Sequence, residues 1–191
     1  MNYNRTPIAM ADAFSLVAVK DYLRVTHSFE DGVITGLART AAAEIEGYCD
    51  LALLSQTITA TTDQWPGCII ALPVGPVQDG ATVSVDVIEA DGTTTPVPSG
   101  WWLEAGRYPR LHFTTTPGAP LRVTYVAGYG DDHTTLPIDL LHAIAAQAVR
   151  SYSMRGDDPS PHGPGVGRGG SGITLAPQTI RICSRYRKVR V

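Results

Sequence analysis

Cysteine is scarce and badly placed for cross-linking. Cys49, Cys68 and Cys183 make three, an odd number without C-x-x-C spacing, which excludes a disulfide framework and a zinc cage and suits a reducing compartment. Long apolar runs are missing too. Nowhere do eighteen apolar residues follow one another, and Met1 to Met10 carries an arginine but no apolar stretch of the secretory kind, so membrane spanning and secretion are both disfavoured. On that reading the Asn4-Arg5-Thr6 glycosylation match is chance. Catalytic constellations are equally absent: the chain has no nucleophile elbow, no P-loop and no paired carboxylates. An enzyme therefore has little support, and no cofactor, metal or catalytic residue is expected.

What the chain does have is core-forming material. At 191 residues and 43% hydrophobic, it can bury roughly 70% of its unfolded surface as one medium domain, or one domain with an insertion. Charge is unevenly spread. Residues 1 to 154 hold 8 basic and 16 acidic side chains, whereas 155 to 191 hold 7 and 2. An acidic body with a basic end seeks an acidic partner or its own neighbour, and the acidic body disfavours a general duplex-binding domain.

The periodicity changes along the chain. Leu16, Val19 and Leu23 fall at helical spacing behind Ser15, a good N-cap, and predict a short helix from Ser15 to Val25. A second is expected from Phe29 to Cys49, where Ile34, Leu37, Ala38, Ala41, Ile45 and Tyr48 form one stripe and Ser28 with Asp31 resembles a capping box. Gly32, Gly36 and Gly47 each weaken that helix by up to ~1 kcal/mol. Small residues at Gly36, Ala38, Ala41, Ala42 and Ala43 would let another helix approach closely.

From Leu51 to Tyr129 the period becomes two. Residues 57–61, 68–72, 83–88, 111–113 and 121–126 are β-branched or aromatic runs between Pro and Gly punctuation, giving five or six antiparallel strands, with Asp91-Gly92 as a hairpin turn. Helix returns at Thr135, with Pro137 in its first turn and Leu141, Ile144, Ala145, Ala148, Val149 and Tyr152 continuing the stripe to Gly156. The fold class is thus α+β: a small helical bundle of about three helices, with an antiparallel β-rich insertion between the second and third. Residues 1–14 read as an N-terminal arm, 15–50 and 131–155 as the helical core, and 51–130 as the insertion.

Residues 156–172 hold seven glycines and three prolines and too little apolar surface to offset ordering, so they read as a linker. Behind it, 173–191 is a basic C-terminal arm. Ile180, Ile182, Tyr186, Val189 and Val191 alternate with Arg181, Arg185, Arg187, Lys188 and Arg190, the pattern of a segment that orders on a partner.

Motifs with a sharper appearance dissolve in context. Gly165-Val166-Gly167-Arg168-Gly169-Gly170 matches G-x-G-x-x-G in letters, but no strand precedes it and no helical period follows, as a dinucleotide site requires. Asp131, Asp132 and His133 lack a second ligand cluster, and as a turn before a helix the acids serve as caps that favour its dipole. His142 has no partner at i+4, and His27, His112 and His162 are scattered. In Trp101-Trp102 one ring is expected to be buried and the other to cover the rim, because adjacent strand residues face opposite sides.

Several segments, taken in order, resemble one family. Ser15-Leu16-Val17-Ala18-Val19-Lys20-Asp21-Tyr22-Leu23-Arg24-Val25, then Glu30-Asp31, Ile45-Glu46-Gly47-Tyr48-Cys49, Arg122-Val123-Thr124-Tyr125-Val126-Ala127-Gly128-Tyr129-Gly130 and Leu136-Pro137-Ile138-Asp139-Leu140 are similar to the head-to-tail connector proteins of long-tailed double-stranded DNA phages. That family includes the adaptor proteins of phage-derived gene transfer agents. The Tyr-x-Ala-Gly-Tyr-Gly segment followed by Leu-Pro and a helix is the most specific part, and the likeness covers most of 15–155.

The resemblance implies a structural protein, without catalysis, at the head-tail interface of a virion or gene-transfer particle assembled in the bacterial cytoplasm. Such connectors form a ring, usually twelve-fold, under the portal protein. They extend the channel through which genome DNA passes without sequence-specific binding, and offer a docking surface for stopper or tail-terminator proteins. Family members often end in a Tyr-Arg segment, which Tyr186-Arg187-Lys188-Val189-Arg190-Val191 resembles. On that footing Ile180, Arg181, Ile182, Arg185, Tyr186, Arg187, Lys188, Arg190 and Val191 are the expected portal contacts, and Asp131 and Asp132 the expected channel-facing acids. The competing expectation is a carbohydrate- or peptide-binding β module built on Trp101 and Trp102.

Overall fold

Eight strands and four α-helices make up the computed structural model, which describes residues 1–63, 67–117, 120–154 and 175–187. The fold is α+β. The described residues divide into two compact units, one from 1–13, 49–63, 67–117 and 120–136 and the other from 14–48, 137–154 and 175–187.

The first unit is built of strands β1 (Asn2–Pro7), β2 (Gln56–Thr62), β3 (Ile69–Ala71), β4 (Val83–Ile88), β5 (Thr94–Pro96), β6 (Trp101–Glu104), β7 (Arg110–Phe113) and β8 (Leu121–Ala127). They form a five-stranded sheet in the order β1-β2-β8-β4-β5 and a three-stranded sheet β3-β7-β6, every pairing antiparallel. Strands β2 and β8 alternate strictly between buried and half-buried residues. That period turns Ile58, Leu121, Val123 and Tyr125 into a core shared with Ile70, Leu111 and Phe113 of the smaller sheet and with Leu72 just beyond it. Each large apolar side chain buried there contributes about 1.5 to 3 kcal/mol. Asp91-Gly92 turns β4 into β5, with Gly92 at φ 85° as such a turn requires.

The N-terminal residues are no arm. Asn2 to Pro7 pairs residue by residue with Thr61 to Gln56, and Arg5 Nη1 donates to the Leu51 carbonyl at 2.9 Å. Most of β1 is exposed, so backbone hydrogen bonds rather than side-chain burial hold it, and its sequence carries no apolar alternation. Strands β5 and β6 were also outside the expected runs.

The second unit holds helices α1 (Leu16–Leu23), α2 (Asp31–Cys49), α3 (Ile138–Ser153) and α4 (Pro177–Cys183). Ser15 caps α1, its hydroxyl accepting the Ala18 N–H at 3.4 Å, and the helix ends at Arg24 in the left-handed region. Helix α2 starts at Asp31 rather than Phe29: Ser28 closes a turn through its carbonyl to the Asp31 N–H. A 3₁₀ turn occupies His133–Thr135, and α3 begins at Ile138, not Thr135. Pro137 forces Leu136 into extended conformation, at φ −74° and ψ 143°, which separates the two. Among the described residues no helix is long and apolar enough to cross a membrane.

Candidate functional site

The basic C-terminal segment is where sequence and structure differ most. Ile182 and Tyr186, expected to await a partner, are buried within the second unit. From Ala176 the chain enters α4 with Pro177 at the first helical position, where a missing N–H costs nothing. Thr179, Ile182, Cys183 and Tyr186 are buried. They fall at the 3- and 4-residue spacing that puts them on one face, and α4 packs along α3.

Polar contacts fix the same seat. The buried Gln147 of α3 accepts the Ala176 N–H at 2.8 Å through Oε1 and donates through Nε2 to Glu44 Oε2 at 2.8 Å. Thr179 Oγ1 donates to the Ala143 carbonyl at 3.3 Å, and Tyr186 Oη donates to Asp139 Oδ1 at 2.6 Å. The Arg187 guanidinium lies over the Tyr48 ring, 5.0 Å from its centroid, a cation-π contact. Ile182 and Tyr186 are therefore used internally, which corrects their expected role as anchors for another protein. Ile180, at 41% exposure, and Arg181, Arg185 and Arg187 form the outward side. Lys188, Arg190 and Val191 lie outside the described residues, as does the expected linker 156–172 with the Gly165–Gly170 motif.

Asp131 and Asp132 are both exposed, in the first unit. Asp132 caps the 3₁₀ turn: its Oδ1 accepts the Thr134 N–H at 2.7 Å and also the Thr134 hydroxyl. The hydroxyl first, then the N–H, hold its carboxyl below the usual range, so it stays charged. Among the described residues no group of three His, Cys, Asp or Glu side chains is arranged to hold a metal ion.

The two tryptophans part as adjacent strand residues do. Trp101 packs partly buried against the core, with Nε1 donating to the Val97 carbonyl at 2.8 Å. Trp102 is 57% exposed and stacks on His112, centroids 3.9 Å apart and planes 7° from parallel. His112 Nε2 is in turn 2.9 Å from Glu104 Oε2. This trio was invisible in the sequence because it follows from the β6–β7 register, which sets Trp102 opposite His112. An apolar groove of about 370 Å³ in the same unit is lined by Val87, Val97, Phe113 and Thr114, with neither tryptophan among its lining residues.

The Tyr-x-Ala-Gly-Tyr-Gly segment is a structural clamp. Tyr125 is buried and its hydroxyl both accepts the Val74 N–H at 3.2 Å and donates to the Val74 carbonyl at 3.0 Å. Three residues on, the Gly128 N–H donates to the Pro76 carbonyl and the Gly128 carbonyl accepts Gln78 Nε2. The Tyr129 N–H then reaches Leu53, and the Gly130 carbonyl accepts the Ser55 N–H. Gly128 sits at φ 135°, and a Cβ there would overlap the Leu54 backbone. Only glycine meets both demands.

No protein-family model matches the chain, and no curated protein does. Solved structures do. A chain in the neck of an empty gene transfer agent particle, computed with C6 symmetry, superposes with TM-score 0.76 at 27% identity, covering 100% of this chain and 97% of that one. A chain of the native gene transfer agent virion gives TM-score 0.75 at 26% identity with the same coverage. One from the native particle's neck, computed with C12 symmetry, gives 0.72 at 26%, again over 100% and 97%. The likeness therefore runs end to end through both units.

Proposed function

We propose that this chain is a structural head-to-tail connector, an adaptor that assembles as a ring of about twelve copies beneath a portal protein. Such a ring extends the DNA channel and offers the next surface for a stopper or tail protein. The supporting observation is the whole-length similarity to gene transfer agent neck chains, reconstructed with C6 and C12 symmetry, at 26 to 27% identity. Cyclic symmetry of that kind places identical copies around an axis, and a connector has no reaction to catalyse.

Within that reading the portal contact falls on the outward side of the C-terminal segment: Ile180, Arg181, Arg185 and Arg187, continued by Lys188, Arg190 and Val191. Exposed guanidinium groups beside an exposed isoleucine suit an acidic, partly apolar groove, where charge-assisted bonds orient and the apolar contact anchors. Asp131 and Asp132, both exposed, are assigned to the channel, where carboxylates repel the DNA backbone and let it slide.

Removing all of 173–191 would strip the cover from α3 and confuse unfolding with lost binding. The test is electron microscopy of the full chain mixed with its cognate portal. It compares wild type, the double variant Ile180→Asp with Arg181→Glu, and a chain ending at Arg187. A ring under the portal from wild type, with loss in both variants at unchanged melting temperature, is the expected result. A ring formed equally by all three would remove the C-terminal segment from the interface. No ring from folded wild type would overturn the connector reading itself.

A further inference from the structure

Helix α2 carries two faces, and one of them packs against the described residues of its unit. Ile34, Ala38, Ala41, Ile45 and Cys49 are buried. The opposite side holds Val33, 46% exposed, and the turn just before the helix holds Phe29, 94% exposed. Leaving a phenylalanine almost fully in water is costly for a free surface, and the exposed Val33 in the first turn of the helix adds a second apolar residue beside it in sequence. Lys20 Nζ lies 2.6 Å from Asp31 Oδ1, which ties α1 to the first turn of α2, and Val17, one turn before Lys20, is 69% exposed.

Along the rest of that side Gly32, Gly36, Thr40, Ala43 and Gly47 are exposed, a strip of small residues flanked by the exposed Arg39. The Thr40 hydroxyl donates to the Gly36 carbonyl at 3.0 Å, so that polar group is satisfied before anything docks. Among the described residues nothing asks for these glycines. Among the described residues a Cβ at Gly32, Gly36 or Gly47 would meet no atom within 4 Å, and none of the three has a left-handed backbone. Each nevertheless weakens the helix relative to alanine.

We infer, resting on the connector reading above, that the Gly32–Gly47 face of α2, together with Phe29 in the turn before it, is covered by a second copy of this chain in the ring. The occupant follows from symmetry. The neck chains that this protein matches over its whole length come from C6 and C12 assemblies. In a cyclic ring each copy meets its neighbours through two different patches, so an apolar surface on every copy finds a non-identical patch on the next. Phe29 and Val33 act as the anchors, and the glycines let the neighbour's backbone approach closely.

The test separates contact with a neighbour from contact with the portal. Native mass spectrometry of the full chain titrated onto its cognate portal resolves binding of the first copy, which needs the portal alone, from completion of the ring, which needs neighbours. The variants are Phe29→Ser, Gly36→Ala and Gly36→Leu, with thermal melting of each isolated chain. Gly36→Ala should melt at or above wild type, because alanine favours the helix. All three should bind as first copies like wild type. Phe29→Ser and Gly36→Leu should raise the concentration needed for ring completion at least tenfold. Rings completed by Phe29→Ser and Gly36→Leu at the wild-type concentration would overturn the inference while leaving the connector reading standing. Weakened first-copy binding would also overturn it, by giving the face to the portal. Failure of wild type to form any ring would sink the connector reading and this inference with it.

Discussion

Gln147 offers the sharpest check on the seating of the C-terminal segment. Its side chain is 4% exposed and reaches two ways, accepting the Ala176 N–H and donating to Glu44. In Gln147→Ala the Ala176 N–H, itself buried, loses its acceptor, whereas the half-exposed Glu44 can turn to water. One orphaned buried donor costs about 1 to 3 kcal/mol. Taking about 2 kcal/mol, a chain of this length should melt roughly 4 to 8 °C lower. Native-state hydrogen exchange gives the local reading: the Ala176 amide should exchange about 30-fold faster, the factor that 2 kcal/mol of lost protection corresponds to. Gln147→Glu adds a second discriminator. It keeps an acceptor for Ala176 but sets a carboxylate against the Glu44 carboxylate, which raises the pKa of the pair in the folded state. A raised folded pKa means stability present below the unfolded value of about 4.3 and lost as pH rises through the folded value. The deficit against wild type should therefore open as pH is taken from about 4 to 7. Gln147→Ala that melts within about 1 °C of wild type, with Ala176 exchange unchanged, would refute the seating of α4 on α3.

Two further predictions concern the clamp in the first unit. Gly128→Ala combines a left-handed backbone with overlap onto Leu54 and should cost about 3 to 5 kcal/mol, read by denaturant unfolding; a loss under about 1 kcal/mol would mean that the clamp yields easily. Tyr125, which burial pushes above its ordinary value near 10, should make wild type lose stability as pH rises above about 10, because the unfolded tyrosine ionises there and the folded one does not. Tyr125→Phe should lack that part of the alkaline slope while costing about 1 to 3 kcal/mol at neutral pH, since the Val74 N–H and carbonyl lose their partner. Parallel alkaline curves for the two proteins would refute the assignment.

The parts of the fold that could be read in advance are those where one residue's neighbours in sequence decide its environment. Ser15 before an apolar stripe, Ile34 to Ile45 at helical spacing, and Val83 to Ile88 alternating between Pro and Gly each carry their own period. Their strands and helices appear within a few residues of the expected bounds. Strand β1 carries none, because both its faces are largely exposed and its stability lies in backbone pairing with β2. Strand β6 was hidden for a related reason: Trp101 and Trp102 are too few to show alternation, and their partners Phe113 and His112 are set by register.

The C-terminal segment shows the limit from the other side. Ile180, Ile182 and Tyr186 were legible as apolar residues among arginines, and alternation suggested an arm whose whole apolar side awaits a partner. In the second unit the helical turn from Pro177 redistributes them. Ile182 and Tyr186 rotate inward with Thr179 and Cys183, and Ile180 stays outward with Arg181. A buried threonine, a buried cysteine and an alanine N–H bound by a glutamine 29 positions earlier settle that choice, and none of them stands out in the sequence. What is left facing solvent is smaller and more basic than the segment as a whole. It follows that charge reversal at Arg181 or Arg185 tests an interface, whereas truncation before Pro177 tests a fold.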